Sequence, residues 1–440
     1  MINKLFFTLL FGIFMHAAWS QDVMLSYEEA VQLGLQQNVD LRMQQNEMKV
    51  VKAEKNQAIG GLAPNVFANV NAFRSSGNTF LEQEAKTINT TSDNLAGGLE
   101  ANLNLFNGFA QMNRIRLGNA NFDAQHHLLD KTVQDVIVTV TKQYLQVLLD
   151  SELLEIAEDN LKTQQLLLKQ IEAMVEAGNR PRSDLYDQLA TVKNRELLVL
   201  QAKNDLSNDK SNLAITLQLD PTINFGVGVP EWDLAQISMT EYKLDELYQR
   251  SIAHRPDLKQ FRSEEQANER AVAIAKASFA PSLTAFYGFS TRYNDQSIRS
   301  FDEQLAIDNK RNQFGLALNI PIYSGLKNRT FLVRQKVNYE NAQIETENLE
   351  KTILNDVRNA YQNFMDVKTA YEVSMAQQEA ADMALKVQQE KYTLGVGSLI
   401  ELSASNNNYI QAASKLAQAR LNLLFQKVLL DYQTGVLQAP

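Results

Sequence analysis

The chain repeats itself at one fixed offset of 217 residues (Gly108 to Gly325, for example). Asn107-Gly108 returns as Ser324-Gly325, Ala63-Pro64 as Ala280-Pro281, and Asn38-Val39-Asp40-Leu41 as Arg255-Pro256-Asp257-Leu258. Tyr144 returns as Tyr361 and Gly178 as Gly395. An offset that never changes leaves no net insertion between the markers, so one structural unit is used twice. Solenoid periods are several-fold shorter. The duplication therefore predicts two halves that complete one another, rather than the two or three separate domains that 440 residues would permit.

The remaining composition excludes more than it assigns. A net charge of −9 offers no basic field for nucleic acid. Cysteine is absent, which removes disulfides, thiolate metal sites, cysteine nucleophiles and a lipid-anchored N-terminal cysteine. Residues 1–20 read as a secretory signal: Lys4, an apolar run from Leu5 to Met15, then Ala18-Trp19-Ser20 before Gln21. That run is shorter than the roughly 20 residues of a membrane span. If the exported protein crosses a membrane it must do so as a closed β-barrel, which alone besides helices satisfies every backbone group in hydrocarbon.

Each half (21–220 and 241–440, with a linker at 221–240) shows the same order of elements. Ser26-Tyr27-Glu28-Glu29 opens a helix with a capping serine and early acids. A break is expected near Asn38, and Pro64 ends the pattern. The period then changes to two. Val66, Val70 and Ala72 alternate with Asn65, Asn69 and Asn71, and Leu95, Leu99, Ala101, Leu103 and Leu105 with Glu100, Asn102 and Asn104. Strands are predicted at 65–74 and 95–106, joined by a long polar loop from Ser75 to Asn94. In the second half they are predicted at 282–293 and 312–323, with a loop from Asn294 to Arg311. About ten residues of alternation is the length of a tilted membrane-crossing strand. A soluble two-layer sheet alternates too, but four strands flanked by very long helices suit a barrel better.

Those helices run from Phe109 to Ala177 and from Leu326 to Leu394, with Gly118 the one glycine and no proline. Seventy residues at 1.5 Å each give about 105 Å. Val133, Ile137, Val140, Tyr144, Val147 and Leu154 follow coiled-coil spacing, as do Ile353, Val357, Tyr361, Phe364 and Tyr371. Each helix ends at a glycine turn, Gly178-Asn179-Arg180-Pro181 or Gly395-Val396-Gly397-Ser398, and a return helix of about 35 residues completes hairpins at 109–218 and 326–434. Four strands cannot close a transmembrane barrel, which starts at eight. Cyclic symmetry solves this: two chains give a filled eight-stranded barrel, three a twelve-stranded one with room for a lumen. The fold class expected is mainly α with a membrane β-barrel, the long hairpins forming an α-barrel.

On these features the chain resembles the TolC-type outer membrane efflux proteins over essentially its whole length. The carriers are Leu25-Ser26-Tyr27-Glu28-Glu29-Ala30 with Val39-Asp40-Leu41, Leu103-Asn104-Leu105-Phe106-Asn107-Gly108, Asn319-Ile320-Pro321-Ile322-Tyr323-Ser324-Gly325, and Lys391-Tyr392-Thr393-Leu394-Gly395-Val396-Gly397-Ser398. The resemblance implies a homotrimeric duct in the outer membrane of a Gram-negative bacterium, with a periplasmic extension, fed by a periplasmic adaptor protein and an inner-membrane transporter. It also implies that acids after the tip turns line a narrow mouth. Asp184 and Glu401, each six residues beyond its glycine, hold those positions; an acid in a first turn also suits the helix dipole by itself. Asp187 supplies a second acid in the first half, whereas the matching position in the second is Ala404. Tyr392 matches a tyrosine that links neighbouring helix pairs in the family, but the partnering arginine falls at Gly397, leaving Arg180 and Arg182 as candidates to replace it. The turns Gly178 to Ser183 (Gly178, Asn179, Pro181, Ser183) and Gly395 to Leu399 (Gly395, Val396, Gly397, Ser398) resemble the family's adaptor-docking grooves.

No catalytic signature or cofactor motif is present. His126 and His127 are adjacent on a helix without the i, i+4 spacing of a zinc pair, and His254 stands apart. A soluble periplasmic coiled-coil scaffold and a duct dedicated to protein secretion are the competing readings.

Overall fold

The computed structural model describes residues 23–81, 85–221 and 224–439; the expected signal, 1–20, lies outside them. The described residues form two compact units. One unit holds the chain up to Gln45 with Leu128–Pro256 and the residues from Glu350 onward, and the other Asn46–His127 with Asp257–Leu349.

In the second unit the chain enters through α2 (Val39–Gly60) and makes β2 (Asn65–Leu81) and β3 (Lys86–Asn107). Its repeat enters through α7 (Pro256–Ala277) and makes β5 (Ser282–Asn294) and β6 (Arg311–Asn319). The sheet is antiparallel in the order β2-β3-β5-β6. Its register carries the alternation across all four strands. Val66 pairs with Ala101 and Ala68 with Leu99, which pairs with Phe289. Leu103 pairs with Ala285, and Ala285 with Leu316. Because side chains alternate with period two, these residues share one face with Leu283 and Leu318. Glu100, Asn102, Phe286, Gly288 and Asn319 share the other. The apolar face is bare: Phe314 is 84% and Leu316 66% exposed.

The strand ends differ from expectation, for physical reasons. The predicted loop from Ser75 to Asn94 is largely strand, since β2 and β3 pair as far as Leu81 with Lys86. Serine, threonine and asparagine on both faces hide the alternation there, while the backbone ladder continues regardless. Arg74 donates two bonds to Asp93, at 2.6 and 2.7 Å, across it. Conversely β6 stops at Asn319, four residues short of prediction, because Pro321 has no N–H to add to a ladder. Between β5 and β6 lie a single turn, α8 (Phe301–Glu303), and a π-turn at Gln304–Asp308.

The long helices match the expectation closely. α3 (Ala110–Glu176) and α9 (Lys327–Thr393) are each 67 residues. α4 (Arg182–Leu217) and α10 (Leu399–Gln433) return with 36 and 35. Each strand-to-helix junction is made by two consecutive left-handed residues, Gly108-Phe109 and Gly325-Leu326, with φ of +66°, +66°, +59° and +66°. A non-glycine there costs on the order of 1–2 kcal/mol, and both halves carry it at the same place. In the first unit Ile137, Val140, Tyr144 and Val147 are fully buried, as are Ile353, Val357 and Phe364, so the middle of each predicted seam faces inward, whereas Val133, Leu154, Tyr361 and Tyr371 are only partly buried.

The predicted N-terminal details hold. Ser26 and Glu29 make a capping box at the start of α1 (Tyr27–Gln37). The helix breaks at Asn38, whose side chain then accepts from the Leu41 N–H at 3.1 Å. The linker is not merely a linker. Within 221–240, β4 (Phe225–Val227) pairs in parallel with β1 (Val23–Leu25), and α5 (Leu234–Met239) starts at an Asp233 cap. The Tyr144 hydroxyl sits 2.8 Å from the carbonyls of both Leu25 and Gly228, tying this clasp to α3. α6 (Leu244–His254) then begins the second half.

Candidate functional site: the two hairpin tips

Both tips use one backbone device. α3 ends with the Asn179 N–H on the Met174 carbonyl (2.8 Å) and the Gly178 N–H on that of Val175 (3.0 Å). α9 ends with the Val396 N–H on Lys391 (3.0 Å) and the Gly395 N–H on Tyr392 (3.1 Å). This is the Schellman closure, which needs a left-handed residue after the helix. Gly178 and Gly395 supply it, both at φ +75°.

The side chains on these matched backbones diverge. In the second tip Ser398 caps α10: its hydroxyl accepts from the Glu401 N–H at 3.2 Å, and the Glu401 carboxylate accepts from the Ser398 N–H at 3.3 Å. In the first tip the corresponding residue is Pro181, which offers no cap. Asp184 instead accepts from Arg180 at 3.1 Å in a half-buried ion pair and lies 3.3 Å from the Ser183 hydroxyl. The two acids that sequence places as equivalents are thus held by different partners.

Arg180 and Gly397 are themselves equivalent by the repeat. At Gly397 an added Cβ would lie 3.0 Å from the Tyr392 nitrogen and 3.1 Å from Lys391 atoms, and its own N–H also bonds to the Lys391 carbonyl. The turn is tight here: a side chain would require its neighbours to give by a few tenths of an ångström, which disfavours one at this position. The cation over Tyr392 comes from the other tip: the Arg180 guanidinium lies 5.2 Å from the ring centroid. The Tyr392 hydroxyl is buried and has no hydrogen-bond partner among the described residues. Tyr392 also packs with Leu399, Val175 and Leu185 on a small core of Leu167, Ile171, Leu385 and Leu402. Arg182 and Asp187 are exposed on α4.

One feature escaped sequence reasoning. Leu394, Val396 and Ile400 are 76%, 76% and 81% exposed, whereas the corresponding first-tip residues are Ala177, Asn179 and Ser183. At these three positions one tip is apolar and the other small or polar. The offset contains this signal, because three apolar residues face three small or polar ones across it. No described helix is long and apolar enough to cross a membrane.

This combination of a four-stranded sheet with a bare apolar face and two long hairpins, duplicated at a constant offset, defines an outer membrane channel protein. The family model for the outer membrane efflux proteins matches 30–217 and 247–435, and the chain belongs to that family. It is accordingly an exit duct of the outer membrane, in a family of transport channels rather than enzymes. Among solved structures it is similar to the CmeC outer membrane channel of Campylobacter jejuni (15% identity, TM-score 0.80, covering 95% of this chain and 90% of that one). It is similar also to the outer membrane protein VceC of Vibrio cholerae (14%, 0.79, 93% and 96%) and to CusC (16%, 0.79, 97% and 96%). A search of curated protein sequences returns no match. Family membership sets aside the soluble scaffold reading.

Proposed function

We propose that three copies of this chain close a twelve-stranded barrel whose lumen continues between the helical hairpins, and that an inner-membrane transporter and a periplasmic adaptor deliver substrates into it. The carrying observation is the sheet. Its apolar face, in register from Val66 to Leu318, needs a lipid-like surrounding, and within one chain β2 and β6 are both edge strands. Open edges and a bare apolar face are liabilities that closure with two further copies in a bilayer removes together. Leu99, Leu103, Leu316 and Leu318 then face lipid, and Glu100, Asn102 and Asn319 the lumen.

The tips form the periplasmic mouth in this reading. Arg180 over Tyr392 takes the place of the arginine absent at Gly397, and holds the two hairpin tips of one chain together. Asp184, Asp187 and Glu401 line the constriction with Arg180 and Arg182. The exposed trio Leu394, Val396 and Ile400, on the turn Gly395–Ser398, gives an adaptor an apolar foothold beside the polar turn Gly178–Ser183. Since Arg180 offsets Asp184, Glu401 carries the larger share of the mouth's negative field. Charged rings of this kind favour cations and hold multivalent ones, and salt screens them over about 10 Å at 0.1 M. Planar-bilayer recordings test this. Glu401→Ala with Asp184→Ala lowers cation selectivity and abolishes divalent block while the trimer still assembles. Unchanged selectivity and block leave helix-dipole compensation as the sole role of both acids.

A further inference from the structure

Asp150 on α3 takes no part in the tips or the sheet, yet it is a carboxyl only 6% exposed. Its repeat equivalent is Val367, so packing at this level does not demand an acid. Gln146 donates to Asp150 Oδ1 at 3.0 Å, and on α4 Asn212 donates to Asp209 Oδ1 at 3.2 Å. Asp150 Oδ2 is buried with no hydrogen-bond partner among the described residues, and the carboxyl that acts on it most strongly is that of Asp209 on α4. Two ionised carboxylates have only acceptors to offer one another, and side by side in a desolvated site they cannot both stay charged. One proton between them satisfies both.

The surroundings favour that proton. Asp205, one turn earlier on α4, adds negative charge and, with Asp150, lines a cavity of about 280 Å³. Arg195 lines the same cavity; one terminal guanidinium N–H is bonded to Asn407, and its Nε is buried without a partner among the described residues. Arg420 of α10 is paired with Glu152 at 2.5 Å. Lys142 and Asp209 border a separate cavity. Burial, then the Asp209 carboxyl, pushes Asp150 up to about 7.

We infer that Asp150 and Asp209 form a proton-binding site that joins α3 to α4 when occupied and weakens their contact when empty. The sign follows from linkage: a carboxyl raised in the folded protein contributes stability that is complete below its ordinary value near 3.8 and is lost as pH rises through about 7. The test uses the full-length protein in detergent and infrared difference spectra across pH 5 to 9. A protonated carboxylic-acid band should disappear with a midpoint near neutrality, and the thermal midpoint should fall over the same range. Asp150→Asn should abolish the band and flatten the pH dependence of the thermal midpoint. Asp209→Asn, on a half-exposed residue and so safer for folding, should move the band's midpoint at least about one unit lower, because an amide then donates to Asp150. A band absent at pH 5, or unchanged in both variants, overturns the proposal. So does loss of the band at pH 6 on adding calcium or magnesium alone, which would make the pair a divalent-cation site.

Discussion

The two hairpin tips share a backbone almost bond for bond, yet little of their surface chemistry. Each closes with the same pair of hydrogen bonds around a glycine at φ +75°. One then places a Ser398–Glu401 box, a side-chain-free Gly397 and three exposed apolar residues; the other places Pro181, the Arg180–Asp184 pair and a polar rim. The sheet shows the same contrast: Leu99 and Leu316 are equivalents on one apolar face, but β3 is 22 residues and β6 nine. Duplication preserves what the backbone must satisfy, namely caps, registers and helix lengths. It frees what faces other molecules, because two copies per chain allow one to specialise.

That contrast can be broken at several levels. Arginine at Leu99 or at Leu316 should each cost about 2–4 kcal/mol near the membrane midplane, read as loss of the heat-modifiable folded form. Asn102→Arg and Asn319→Arg, their opposites in facing, should fold normally; the reverse pattern would invert the assignment. Next in size, Gly178→Ala and Gly395→Ala should destabilise the protein equally, by about 1–2 kcal/mol, because both force an alanine into left-handed backbone. Unequal losses in thermal unfolding would mean that the shared turns are not equivalent. Ser398→Ala should cost about 1 kcal/mol by removing a cap, whereas Pro181→Ala removes none and should cost less. Smallest, Arg180→Ala should lower stability by only about 0.3–0.5 kcal/mol, as expected of an i, i+4 pair. It should nonetheless change the mouth, raising conductance in bilayers as Tyr392 loses its cation; an unaltered conductance would confine Arg180 to a structural role.

Much of this was legible in the sequence where one physical requirement dominates a stretch. The 67-residue helices follow from unbroken spacing without proline, and the two apolar strand faces from simple alternation. What stayed hidden lacks such a pattern. Residues Ser75 to Asn78 extend a strand with only serine, glycine and asparagine, so nothing alternates. The pairing of Val23–Leu25 with Phe225–Val227 joins segments some 200 residues apart, each only three residues long. Gly397 is visible as a glycine, but the crowding that a side chain would meet there appears only when Tyr392 and Lys391 are seen around it. Asp150 is one acid among 51 acidic residues until its burial is known.

The central claim is that one chain supplies a third of a closed barrel, and the mass of the intact detergent-extracted protein tests it most directly. Native mass spectrometry after gentle removal of detergent should give a single species of three chains, stable at low concentration and dissociating only on heating. A monomer or a dimer as the dominant species, with the sheet still folded, would contradict the account.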